Sequence, residues 1–105
     1  DAAITQTKRL TARELQDLQS NSRLVTLLDV RNPGELSDGF IEGSTHIPLG
    51  DLTQRVSEVP DGDEIVVYCA GGYRSSIAAS VLRSALPEAR VSDLIGGFSA
   101  WDDPQ

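Results

Sequence analysis

The feature that most constrains the fold is a buried strand that runs into a helix through a short glycine loop. Residues 65–67 are β-branched and apolar, as in a strand that is buried on both faces. The chain's single cysteine, Cys69, follows this strand, and after Ala70 two glycines permit a tight turn. Apolar residues then recur at helical spacing, which predicts a helix from Arg74 onward: Ile77, Ala78, Val81, Leu82 and Ala85.

This transition predicts a reactive position for the Cys69 thiol. Amide N–H groups of the loop can converge on the sulfur, and the start of the helix adds partial positive charge. Arg74 adds a full positive charge, and together these groups favour the thiolate, which is the nucleophilic form. The structural alternative is that Cys69 is only a small apolar residue at a strand end. The order of cysteine, glycines, arginine and helix start favours the chemical interpretation.

Further strand and helix signals alternate along the chain. Strands are predicted at residues 3–7, 24–30 and 91–95, with a short one near Thr45. Helices are predicted to begin at Thr11, at Asn32 and near Asp51, and a last one to end near Trp101. This alternation predicts an α/β fold with an open, mostly parallel sheet and helices on both faces. Sites in such sheets lie beyond the carboxyl ends of the strands, where Cys69 stands.

Length and composition limit the class of protein. The 105 residues have room for one domain, spanning residues 1–105, and the net charge of −7 argues against nucleic acid or anionic membranes as partners. No apolar run approaches the roughly 20 residues that a membrane span needs. The lone cysteine excludes an internal disulfide and fits a reducing compartment. With one cysteine and one histidine, we expect no metal site and no cofactor.

The first residues bear on the origin of the chain. It begins Asp1-Ala2-Ala3 and contains no methionine, so we expect a processed protein or a domain excised from a longer chain. No signal peptide is visible. The lone cysteine, which fits a reducing compartment, leads us to expect a cytoplasmic location, with a periplasmic location after removal of a signal peptide as the alternative.

The loop Cys-Ala-Gly-Gly-Tyr-Arg-Ser at residues 69–75 resembles the active-site loop of rhodanese-type sulfurtransferases. Residues 27–31 resemble the first strand motif of that family, and residues 39–48 resemble its second motif. Residues 94–101 resemble its closing Gly-Gly element with a tryptophan. The motifs follow one another in family order and cover nearly the whole chain. The resemblance therefore implies a three-layer rhodanese-like fold with a mostly parallel central sheet.

The resemblance also implies a role for each residue of the site. Cys69 would take a sulfane sulfur from thiosulfate or a low-molecular-weight persulfide such as glutathione persulfide, and pass it to cyanide or a thiol. Asp29 and Arg31 would brace the loop through charge-assisted hydrogen bonds. A fused or separate enzyme of sulfur metabolism is a candidate partner. The residues that would bind the donor are those of the loop: Ala70, Gly71, Gly72, Tyr73, Arg74 and Ser75.

One departure from the family pattern bears on the donor. Rhodaneses that prefer thiosulfate often carry cationic side chains in the middle of the loop, where this chain has Ala70 and Gly71. Arg74 is then the loop's only full positive charge. We therefore expect a donor with an uncharged or bulky head group, such as glutathione persulfide, to be favoured over dianionic thiosulfate.

Other functions remain open from the residues. A related phosphatase or arsenate reductase would place five residues between cysteine and arginine, whereas four separate Cys69 from Arg74, so the smaller loop favours a single sulfur atom. A non-catalytic interaction or sulfur-carrier module is a third interpretation, although a purely structural copy would have no need of the intact Cys69, Gly72 and Arg74. His46 is better explained as a structural residue than as the base of a Cys–His dyad.

Overall fold

A computed structural model describes residues 8–20, 25–60, 64–71 and 73–101 of the chain. Five strands form one sheet, in which every pairing is parallel: β1 (Lys8–Leu10), β2 (Val25–Asp29), β3 (Thr45–His46), β4 (Glu64–Tyr68) and β5 (Val91–Leu94). Their spatial order is β1-β5-β4-β2-β3. The strand that carries the cysteine loop is therefore central, and all carboxyl ends meet at one edge of the sheet.

The central position of β4 explains its apolar sequence. Every residue from Glu64 to Tyr68 is buried, because β2 and β5 flank the strand and helices cover both of its faces. Leu28 of β2 lies beside Val67, and Asp93 of β5 lies on the other side of it. The strand predicted at residues 65–67 is thus confirmed and extends one residue further in each direction.

The helices divide between the two faces of the sheet. They are α1 (Ala12–Ser20), α2 (Leu49–Arg55), α3 (Tyr73–Ala85) and α4 (Gly97–Trp101), with 3₁₀ helices at Pro33–Asp38 and Val56–Glu58. On one face α2 and α3 pack over a core of Leu52, Ile65, Val67, Ala78 and Leu82. On the other, α1 and α4 cover Leu15, Val66, Tyr68 and Leu94. The predicted α/β fold with helices on both faces is confirmed.

Local signals set most of the element boundaries. The Thr11 hydroxyl accepts the Glu14 N–H at 3.1 Å and the Glu14 carboxylate accepts the Thr11 N–H at 2.8 Å, which confirms the predicted helix start. The strand predicted at residues 3–7 lies outside the described residues. The pattern does not predict β1, because its sequence Lys-Arg-Leu has no apolar run. Among the described residues, no helix is long and apolar enough for a membrane span.

Candidate active site

Cys69 directly follows the last residue of β4 at the carboxyl edge of the sheet. Its side chain is buried, with 1% of its surface exposed, and it belongs to the core between the sheet and α3. The backbone N–H of Ser75, in the first turn of α3, donates a hydrogen bond to the Cys69 Sγ at 3.3 Å. The sulfur therefore faces the amino-terminal end of a 13-residue helix, whose dipole favours negative charge there. The structure thus brings the strand end, the thiol and the helix start together as the sequence order suggests.

Helix α4 holds the backbone of the loop from the opposite side. The Phe98 N–H donates to the Cys69 carbonyl oxygen at 2.7 Å, and the Ser99 N–H donates to that of Ala70 at 3.0 Å. Gly97 makes this approach possible. It has a φ of +57°, and a Cβ atom at Gly97 would lie 2.7 Å from the Ala70 carbonyl oxygen and still closer to that of Cys69. The Gly-Gly element near the end of the sequence is therefore part of the site, since it fixes the backbone that follows the cysteine.

Asp29 and Arg31 form a buried ion pair beside the loop. Both side chains are at most 2% exposed, and Arg31 Nη2 lies 2.7 Å from Asp29 Oδ2. The hydrogen bond to Asp29 is the main reason why the pKa of Arg31 is raised, and burial opposes it. Arg31 Nη2 also donates to the Gly39 carbonyl oxygen at 2.8 Å, just past the Pro33–Asp38 helix. Its Cζ lies 4.8 Å from the centroid of the Phe98 ring, so the pair supports both the end of that helix and α4.

His46 belongs to this supporting structure. Its Nε2 lies 2.7 Å from the carbonyl oxygen of Arg31, within hydrogen-bond distance. This nitrogen is therefore engaged with the backbone that follows β2. The geometry supports the structural interpretation of His46 over a Cys–His dyad.

Arg74 does not project alone toward the thiol, because it pairs with Glu35 of the Pro33–Asp38 helix. Its Nη1 donates to Glu35 Oε1 at 2.7 Å and its Nη2 donates to Glu35 Oε2 at 2.9 Å. The Arg74 hydrogen bond, followed by one from the Asn32 N–H, lowers the pKa of Glu35 to about 2. The pKa of Arg74 is raised, first by Glu35 and to a smaller extent by the charge on Cys69. Glu35 is thus a residue of the site that the sequence did not reveal.

The sequence predicts only one of the two contacts that hold the Glu35 side chain. The spacing of Asn32 and Glu35 predicts a helix start, and the Asn32 N–H does donate to Glu35 Oε1 at 2.9 Å. The other contact is with Arg74, which is 39 residues away in the chain. Only the parallel packing of β2 beside β4 brings the two loops together.

The remaining loop residues differ in exposure. Ala70 is half-buried and Ser75 is fully buried, whereas the Tyr73 side chain is 78% exposed. Gly71 is exposed, and a Cβ atom at this position would have no other atom within 4 Å. Gly72 lies outside the described residues. Donor binding by these residues stays a prediction. Within the described part of the chain, no group of three metal-binding side chains is present.

Comparisons with known proteins identify relatives of this chain in sequence and in fold. The sequence model of the Rhodanese-like domain matches residues 11–104. The chain is 36% identical over 87 residues to the uncharacterized protein YqhL of Bacillus subtilis, which covers 82% of this chain and 68% of YqhL. It is also 36% identical over 77 residues to a sulfurtransferase of Allochromatium vinosum, which covers 73% of this chain and 71% of that protein. The crystal structure of a rhodanese-related protein from Thermoplasma volcanium superposes with a TM-score of 0.80 at 29% identity and covers 91% of each chain.

Proposed function

Because the chain belongs to the rhodanese-like domain family, we propose that it is a sulfurtransferase that carries a sulfane sulfur on Cys69 as a persulfide. The main support for this proposal is a hydrogen bond to the sulfur: the backbone N–H of Ser75, at the start of α3, donates to the Cys69 Sγ. A hydrogen bond and a helix dipole aimed at one sulfur atom stabilise an anion there, whether a thiolate or the persulfide that replaces it.

The proposed reaction has two steps and needs no external oxidant. The Cys69 thiolate attacks the outer sulfur of the donor, so that a bond from Sγ to this sulfur forms while the donor's own S–S bond breaks. The electron pair of the broken bond leaves with sulfite or with a thiolate, so Sγ is oxidised and the departing sulfur is reduced to the same extent. An acceptor thiolate or cyanide then attacks the terminal sulfur and returns the Cys69 thiolate.

The charges around the loop favour a donor with little negative charge next to its reacting sulfur. Arg31 is neutralised by Asp29 and Arg74 by Glu35, so each of these two arginines near the cysteine loop belongs to a pair with no net charge. The backbone N–H of Ser75 and the α3 dipole then provide the attraction for an anion. Thiosulfate brings two negative charges next to its reacting sulfur, whereas glutathione persulfide carries its carboxylates on flexible arms that can stay in solvent. We therefore propose a low-molecular-weight persulfide such as glutathione persulfide as the preferred donor.

The test is the intact mass of the protein after incubation with glutathione persulfide or with thiosulfate, recorded without reductant. A Cys69→Ser variant provides the control. We expect the mass to rise by one sulfur atom, the gain to be absent from the variant, and cyanide to reverse it. If neither donor adds sulfur to Cys69, the proposed function is wrong; if thiosulfate has clearly the higher kcat/KM, the proposed donor preference is wrong.

A further inference from the structure

We propose that Glu35 determines the donor specificity of this site, because its carboxylate neutralises Arg74 and so disfavours dianionic sulfur donors. The inference rests on the proposed sulfurtransferase function and extends it to a residue outside the cysteine loop. Glu35 is a positioning residue in this proposal: it acts through Arg74 and need not touch the donor.

The Glu35 carboxylate is held in place from two directions. Its Oε1 accepts the N–H of Asn32 at 2.9 Å as well as the Nη1 of Arg74 at 2.7 Å. Pro33 at the first helical position fixes the start of this 3₁₀ helix. The bidentate pair is half-buried, with 30% of the Arg74 side chain and 31% of the Glu35 side chain exposed. A pair anchored in this way persists more than a flexible surface pair does.

The pair changes what Arg74 can offer a donor. A guanidinium has five N–H groups, and Glu35 accepts from two of its nitrogens, so N–H groups remain for a polar head group. The net charge of the pair is zero, however, so the extra attraction for a second negative charge is lost. Because the pKa of Glu35 is lowered to about 2, its carboxylate stays ionised and neutralises Arg74 throughout the pH range of an assay. Arg74 can therefore still donate hydrogen bonds to a sulfur donor, while Glu35 cancels its positive charge.

The test compares two donors that differ by one charge. Methanethiosulfonate is thiosulfate with a methyl group in place of one anionic oxygen, so it is a monoanion with a similar reacting S–S bond. For an assumed separation on the order of 7 Å in a water-like dielectric, Coulomb's law gives one uncompensated positive charge a preference of about threefold for each negative charge. We therefore expect Glu35→Gln to raise kcat/KM about tenfold for thiosulfate and about threefold for methanethiosulfonate, mainly through KM. High salt should reduce both gains.

The chain contains a matched control. Glu58 forms the same kind of bidentate pair with Arg55 at the end of α2, at 3.0 Å and 2.9 Å. Its 3₁₀ helix Val56–Glu58 precedes β4, so the pair lies away from the carboxyl end of that strand. Glu58→Gln changes the net charge of the protein by the same amount, and we expect it to leave the ratio of the two kcat/KM values unchanged. In a Glu35→Gln/Arg74→Gln double variant, which has no charge at either position, we expect the ratio to return to the wild-type value.

The outcomes separate this inference from the function on which it rests. If the wild type forms the Cys69 adduct but Glu35→Gln leaves the donor ratio unchanged, or lowers both rates in proportion, Glu35 does not set specificity. An equal gain in Glu58→Gln would attribute the effect to overall charge and would also overturn the inference. Where Glu35→Gln fails to unfold cooperatively, Glu35→Ala replaces it, with the same ratio expected. If no donor loads Cys69 of the wild type, it is the proposed function that fails.

Discussion

The two arginine–carboxylate pairs near the cysteine loop have the same chemistry but different surroundings. Asp29 and Arg31 are two residues apart in the sequence and almost completely buried. Glu35 and Arg74 are 39 residues apart, and nearly a third of each side chain is exposed. A buried pair cannot lose one partner without leaving a charge in the core, whereas an exposed pair can. We therefore expect loss of one partner to affect stability most in the first pair, and the field at the site most in the second.

The largest expected effect comes from removal of one partner of the buried pair. Arg31→Met leaves the Asp29 carboxylate buried without its cation and also removes the hydrogen bond to the Gly39 carbonyl oxygen. We expect the free energy of unfolding to fall by about 3–5 kcal/mol, measured by urea denaturation at neutral pH.

The control for this prediction is Arg55→Met, which removes one partner of the exposed pair with Glu58. An exposed pair of this kind contributes little to stability, so the control should unfold at nearly the wild-type urea concentration. A similar loss in both variants would contradict the distinction between buried and exposed pairs.

A smaller effect is expected at Gly97, which holds the loop that leads to Arg74. Gly97→Ala places a Cβ atom against the carbonyl oxygens of Cys69 and Ala70, at a residue whose φ of +57° disfavours a side chain. We expect a loss of about 2 kcal/mol in the free energy of unfolding. The displaced loop should also transfer sulfur more slowly even where the variant is fully folded, as single-turnover loading of Cys69 would show.

Gly34→Ala serves as its control. A Cβ atom at Gly34 would have no other atom within 4 Å, and this glycine does not have a positive φ. We expect stability and loading rate close to those of the wild type. If Gly97→Ala loads sulfur at the wild-type rate, the contact between α4 and the loop has no part in catalysis.

The difference between the two pairs also shows what the sequence can predict. The strand at β4, the cysteine at its end and the capping box of α1 are all determined by neighbouring residues, and local patterns found them. The brace by Asp29 and Arg31 is implied by the resemblance of residues 27–31 to a family motif. The sequence does not predict the Glu35–Arg74 pair, because the two loops meet only when β2 pairs with β4. The spacing of apolar residues carries no information about that contact.

The smallest expected effect is the pH dependence that the partly exposed Glu35–Arg74 pair gives to the free energy of unfolding. Folding lowers the pKa of Glu35 from 4.5 to about 2, chiefly through the hydrogen bond from Arg74. The unfolded chain therefore binds the proton more readily, so the contribution of Glu35 to stability is present above about pH 5 and is lost as the pH falls toward 2. Because the pair is partly exposed, we expect a contribution of only about 1 kcal/mol. Between pH 6 and pH 3 the wild type should lose about that much more unfolding free energy than Glu35→Gln. Equal losses in the two proteins would mean that Glu35 is not held by Arg74 in solution. The proposed donor preference, which depends on the neutralisation of Arg74, would then be wrong.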